Sequence, residues 1–177
     1  MELPNLHEIG KATHFGRSEI SRLGIAVLFL IGVVTYAWMH HADVPGGFML
    51  IAAAVIGGYM ALNIGANDVA NNVGPAVGAR ALTLTGAIIV AGIFEASGAL
   101  LAGGEVVNTI KKGIINPEVI PSTEEFIWLM LAALLAAGAW LNIATALGAP
   151  VSTTHSIVGG VLGAGIAAGG WGIASWD

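Results

Sequence analysis

An apolar run over residues 48–64 passes directly into Gly65-Ala66-Asn67-Asp68-Val69-Ala70-Asn71-Asn72, and the chain turns apolar again from Val73. A bilayer core is crossed by roughly 20 residues of helix, so this run is long enough to carry the acid and its three carboxamides to membrane depth. A charge there costs roughly 2.5–3.5 kcal/mol at a helix centre on insertion scales, which makes Asp68 a functional-site residue by default. A second interruption has the same form: Pro150-Val151-Ser152-Thr153-Thr154-His155 follows the uncharged run 126–147. Two broken membrane segments bearing oxygen ligands and hydroxyls are what a solute-and-ion site requires, so transport is the functional expectation.

With 56% hydrophobic and 10% charged residues, against roughly 25% charged in soluble domains, the chain is an all-α integral membrane protein. Its 177 residues leave room for about four to five membrane segments once loops are subtracted. A net charge of −5 with six Lys and Arg supplies no basic patch, which excludes nucleic acid as a partner. The absence of cysteine excludes disulfides, thiol catalysis and thiolate metal sites. Gly57, Ala61 and Gly65, Gly74 and Gly78, and Gly159 and Gly163 recur four apart, the spacing that lets helix backbones approach closely.

Residues 1–22 are polar and are expected to form a cytoplasmic segment, amphipathic or irregular, ahead of a retained span at 23–39. Pro45-Gly46-Gly47 signals a turn. The segment 48–81 reads as a discontinuous helix that unwinds at the Asn67-Asp68 cluster and restarts at Val73. A third span follows at 82–104 with Glu95 near its middle, then a loop at 105–125 whose end has the form of a helix entry, with Ser122 as N-cap and Glu125 three residues on. Pro150 stops the helix of 126–147, and 151–170 reads as a half-helix or a re-entrant segment. Three of the six basic residues precede the first span, which places the N-terminus in the cytoplasm. Lys111 and Lys112 then fall outside if every segment crosses once, so either one segment is re-entrant or the charge bias does not decide.

The two polar clusters are chemically complementary. Asn67, Asp68, Asn71 and Asn72 supply the oxygens that a hard cation such as Na⁺ takes, while a helix restarting after Pro150 presents free N–H groups to an oxyanion beside the Ser152, Thr153 and Thr154 hydroxyls. Asp68 and Ser152 also read as plain N-caps, worth about 0.5–2 kcal/mol each. His155 reads as a proton carrier or as an interior histidine. Glu95 reads as a coupling ligand or as a protonated acid that fixes packing. No Lys or Arg lies well inside a span, so an anion would meet acidic groups unless a cation bound first.

At these residues the chain resembles the inorganic phosphate transporter (PiT) family, whose signature stands here as Gly65-Ala66-Asn67-Asp68-Val69-Ala70-Asn71-Asn72-Val73-Gly74-Pro75-Ala76-Val77-Gly78. The likeness continues through Ile93-Phe94-Glu95, Asn108-Thr109-Ile110-Lys111-Lys112-Gly113-Ile114 and Pro150-Val151-Ser152-Thr153-Thr154-His155. It implies Na⁺- or H⁺-coupled symport of inorganic phosphate across the cell (plasma or inner) membrane, by an inverted-repeat fold with no resident cofactor. The implied site has Asn67, Ser152, Thr153 and Thr154 on phosphate and Asp68, Asn71, Asn72 and Glu95 on the cation, with Asp68 the ligand of Na⁺ if Na⁺ couples. Family members have two related halves, each with a signature; this chain carries one copy. It resembles the N-terminal half, with a transporter repeat over 46–170 and an extra span at 23–39 in a membrane domain of 23–177. A second half or a homo-oligomer is the implied partner.

Three alternatives have distinct marks. A sulfate or other oxyanion permease would use the same donors, and a non-transporting half-subunit would use the glycine-rich faces for packing alone. A membrane hydrolase built on Ser152 or Ser156 with His155 lacks a Gly-x-Ser-x-Gly elbow, and sequence neighbours face each other poorly for proton transfer.

Overall fold

The computed structural model describes residues 6–176, with the side chains of residues 20–110 and 113–176. Among these residues six α-helices follow one another, α1 (Leu6–His41), α2 (Gly47–Ile64), α3 (Ala70–Gly78), α4 (Leu84–Gly113), α5 (Thr123–Ala146) and α6 (Thr153–Gly169), with a π-helical turn at Gly65–Val69 between α2 and α3. Among the described residues, four stretches are long and apolar enough to cross a membrane: Ile20–His41, Gly47–Gly78, Leu84–Ile110 and Thr123–Ala146. The protein is a multi-pass membrane protein. Of the expected polar segment, residues 1–5 lie outside the described residues, and from Leu6 the chain is already helical and continuous with the first span.

The chain divides into two compact units, Met1–Gly58 and Tyr59–Asp177. In the first, α1 and the start of α2 enclose an apolar groove of about 490 Å³ lined by Phe29, Gly32, Val33, Tyr36, Ala37, His41, Leu50 and Ala54.

The second unit holds both polar clusters. Its first departure from expectation lies at residues 65–72, where the helix does not unwind but changes its winding. Gly65–Val69 forms one π-turn, and Ile64, Val69 and Ala70 on either side keep right-handed helical angles. A π-turn admits an extra residue without surrendering the backbone hydrogen bonds, a cheaper solution at membrane depth than exposed peptide groups. The helix stops instead at Arg80, which adopts φ +59° where the Ala81 N–H reaches back to the Ala76 carbonyl (2.9 Å). The second departure is the expected loop: α4 starts on the Thr83 cap, whose hydroxyl accepts from the Gly86 N–H (3.1 Å), and continues through residue 113. Residues 105–112 contain polar side chains but no helix breaker. Asn116 and Pro117, the first strong turn signal, fall after the helix end.

Ser122 caps α5 as expected, accepting from the Glu125 N–H at 3.1 Å. At its far end α5 closes in a Schellman turn, with Gly148 at φ +66° and the Ala149 N–H on the Ala144 carbonyl (2.8 Å). Pro150 blocks continuation and Ser152 starts α6. The new helix runs back along α5: a Cβ on Gly160 would lie 2.7 Å from the Ala133 carbonyl oxygen, so only glycine allows the two backbones this close. Both arms end where they began. Buried Ile115 and Ile173 pack with Leu129, Ala133 and Val161, and the Asn116 N–H donates to the Ile173 carbonyl (2.8 Å). The 17-residue α6 packs back along α5, with Val161 beside Leu129 and Ile157 beside Leu141, so the two helices form a hairpin.

Candidate functional site

The π-turn brings Asn67 against the tip of the α5–α6 hairpin. Asn67 is 5% exposed, and its Nδ2 donates both to Thr145 Oγ1 (3.2 Å) and to the Ala149 carbonyl (3.3 Å). Its Oδ1 accepts from Asn71 Nδ2 at 3.1 Å. These residues, with Ala66, Ala70, Gly148 and Pro150, line a cavity of about 340 Å³. Asn63, one turn earlier and also buried, donates from Nδ2 to the Tyr59 carbonyl (2.9 Å). Asn63, Asn67 and Asn71 thus stand four apart on one face, where a carboxamide can reach the next turn.

Asp68 lies half-buried in the middle of the π-turn. It does not cap α3, whose N-cap position is Val69 with helical angles and no side-chain bond. No hydrogen bond or ion pair engages its carboxylate among the described residues. Asn72 is exposed and lies in a different groove. It lines, with Glu95, Val69, Phe94 and Gly98, a groove of about 640 Å³ between α3 and α4.

At the second cluster the roles separate residue by residue. Ser152 is a cap, its Oγ accepting from the His155 N–H at 3.3 Å while its carbonyl accepts from Ser156 Oγ at 2.8 Å. Thr153 is 6% exposed, and its Oγ1 is the one buried side-chain oxygen or nitrogen without a hydrogen-bond partner among the described residues. A buried hydroxyl with no partner costs about 1–3 kcal/mol, which a fold retains most readily where something else completes the bond. Thr154 is exposed and faces a third groove of about 450 Å³, with Glu105 and Thr109 of α4. His155 is exposed.

The structure therefore gathers Asn67 and Asn71 at the hairpin tip and Asn72 beside Glu95, and it turns Thr154 toward α4. Sequence reading passed over Thr145, Asn63 and Glu105. The fourfold spacing of Asn63, Asn67 and Asn71 was a usable signal for Asn63; Thr145 pairs with a residue 78 positions away, and nothing local marks it.

Comparison with known proteins follows the same residues. The profile of the phosphate transporter family matches residues 64–177. A Helicobacter pylori (strain J99) protein named "Putative phosphate permease" is 51% identical over 176 residues, covering 99% of this chain and 33% of that protein. One of the same name from Chlamydia trachomatis serovar D is 54% identical over 121 residues, 67% of this chain and 28% of that protein. A solved structure, described as "The sodium-dependent phosphate transporter", superposes with a TM-score of 0.69 at 47% identity, covering 73% of this chain and 32% of that one. The chain thus spans about a third or less of the length of these relatives. From the π-turn signature to the hairpin, the chain belongs to the phosphate transporter family.

Proposed function

We propose that this chain forms one half of a Na⁺-coupled symporter of inorganic phosphate, with a transporter repeat over 46–170, an additional span at 23–39 and a complementary second half as partner. The observation that carries the reading is the meeting of the Asn67 π-turn with the hairpin tip, which leads into α6 and the buried Thr153 hydroxyl that lacks a partner at its start. Asp68, Asn71, Asn72 and Glu95 supply oxygens for the cation; Ser152, Thr153 and Thr154, with the N-terminus of α6, supply donors for phosphate, and Asn67, whose two amide protons are engaged by the hairpin tip, serves the phosphate side by holding the π-turn against that tip. The cation binds first and offsets the acidic field around the anion. Na⁺ is favoured as the coupling ion because the similar solved transporter is described as sodium-dependent.

Proteoliposomes holding the chain with a complementary second half of the family test this reading through uptake of radiolabelled phosphate. Uptake that needs an inward Na⁺ gradient and resists excess sulfate is the expected result. Uptake abolished by sulfate, or indifferent to Na⁺ and driven by a proton gradient, would replace the substrate or the coupling ion respectively.

A further inference from the structure

We propose that Thr145 is a positioning residue for the site, holding Asn67 so that the π-turn and the hairpin tip present their ligands to one another; the inference rests on the phosphate-transport reading. Asn67 carries two amide protons, and both are spent on the tip: one on Thr145 Oγ1 (3.2 Å), the other on the Ala149 carbonyl (3.3 Å). Those acceptors lie on either side of the Schellman turn. Thr145 belongs to the last turn of α5, where its own carbonyl accepts from the Gly148 N–H (3.0 Å), and Ala149 is the residue whose N–H closes the turn on Ala144 (2.8 Å). One carboxamide therefore clasps both ends of the turn, and its remaining oxygen, accepting from Asn71 at 3.1 Å, fixes the next residue of the cation set.

Burial makes the clasp consequential. Asn67 is 5% exposed, so an amide proton released from Thr145 finds little water to replace it and would seek another acceptor. The Ala149 contact alone leaves the amide free to swing about one bond, and the α6 start at Ser152, three residues beyond Ala149, moves with it. Two bonds define an orientation where one defines only a distance. The hydroxyl at position 145 is thereby linked to both ligand sets while standing in neither.

Phosphate binding at saturating Na⁺ and initial uptake rates, measured on the transporter assembled with its second half, test the proposal in Thr145→Ser, Thr145→Val, Asn67→Ala and the Asn67→Ala/Thr145→Val double variant. Ser keeps the acceptor and is expected to stay within about twofold of the parent. Val, nearly the same size, is expected to weaken phosphate affinity by about three- to tenfold, the scale of one hydrogen bond, with maximal uptake little changed. In the Asn67→Ala background the Val substitution is expected to add nothing, because the bond it removes is already gone. Equal affinities for Val and parent, or additive losses in the double variant, would overturn the positioning role. Should Val impair assembly, cross-linking of an Asn67→Cys/Thr145→Cys pair checks the clasp directly, and failure to form the disulfide under oxidation overturns it. A parent transporter that binds no phosphate would instead overturn the proposed function.

Discussion

Two side chains carry tests that separate ligand from scaffold. Thr153 is buried with an unpaired hydroxyl, so Thr153→Val removes a polar group that costs the folded chain energy and replaces it with a methyl of similar volume. Thermal stability is expected to hold or rise, while phosphate affinity falls by about 0.5–1.5 kcal/mol if the hydroxyl completes its bond on the anion. A variant that loses stability and keeps affinity would make Thr153 a structural residue. Asp68 admits a cleaner separation. Asp68→Asn keeps shape and removes charge at a position that caps no helix, so insertion and fold are expected to survive while Na⁺-dependent uptake is lost. Uptake that keeps its Na⁺ dependence in this variant would take Asp68 out of the cation set.

At the scale of helices, the seam between α5 and α6 is set by what small residues permit. Membrane helices gain little from leaving lipid for protein, so their association depends on close packing, and Gly160 against the Ala133 carbonyl leaves no room for a Cβ. Gly163, one turn further along α6, has nothing within 4 Å of a Cβ position. Ala is a better helix former than Gly by about 1 kcal/mol, so Gly163→Ala is expected to leave stability unchanged or raise it. Gly160→Ala meets the same propensity gain with a backbone collision, and a net loss of about 1–2 kcal/mol is expected from the shifted packing. Thermal unfolding of the two variants in detergent reads the difference, and equal midpoints would refute the seam. The sequence disclosed these elements unevenly. Apolar run lengths placed four spans, and Ser122 and Pro150 announced the ends of α5 because caps and turns depend on a few local residues. Winding at 65–69 was not legible: glycine beside polar residues fits an unwound break and a π-turn equally, and the choice depends on tertiary contacts of Asn67. The same holds for α4, where polar residues 105–112 look like loop until the absence of a breaker is weighed against their polarity.

For the whole molecule, the candidate site is partly enclosed by the chain itself and partly open. The α2–α3 turn and the α5–α6 tip close on each other, whereas the groove that holds Asn72 and Glu95 is bounded by α4, a helix with Ala87 as its one buried residue among those described. Phe94, Leu100 and Leu101 on that helix are 73%, 87% and 87% exposed. Lipid or further protein suits such a surface equally on apolarity. On the proposed reading the groove distinguishes them, because a Glu95 carboxylate acting on a cation near membrane depth would need shielding from hydrocarbon and controlled access to water, and lipid chains supply neither. The similar proteins extend about three times the length of this chain, which leaves ample protein to complete the enclosure. Gly98 lines the groove, and the chain contains no cysteine, so Gly98→Cys introduces a unique thiol there. Labelling by a membrane-impermeant thiol reagent is expected to be slow in the 177-residue chain alone, where hydrocarbon covers the groove, and faster once a cysteine-free second half gives the groove access to water, with Na⁺ then slowing it. Equal rates in the two preparations would mean that the second half leaves the surroundings of Asn72 and Glu95 unchanged, and the cation set would then have to be sought at the π-turn alone.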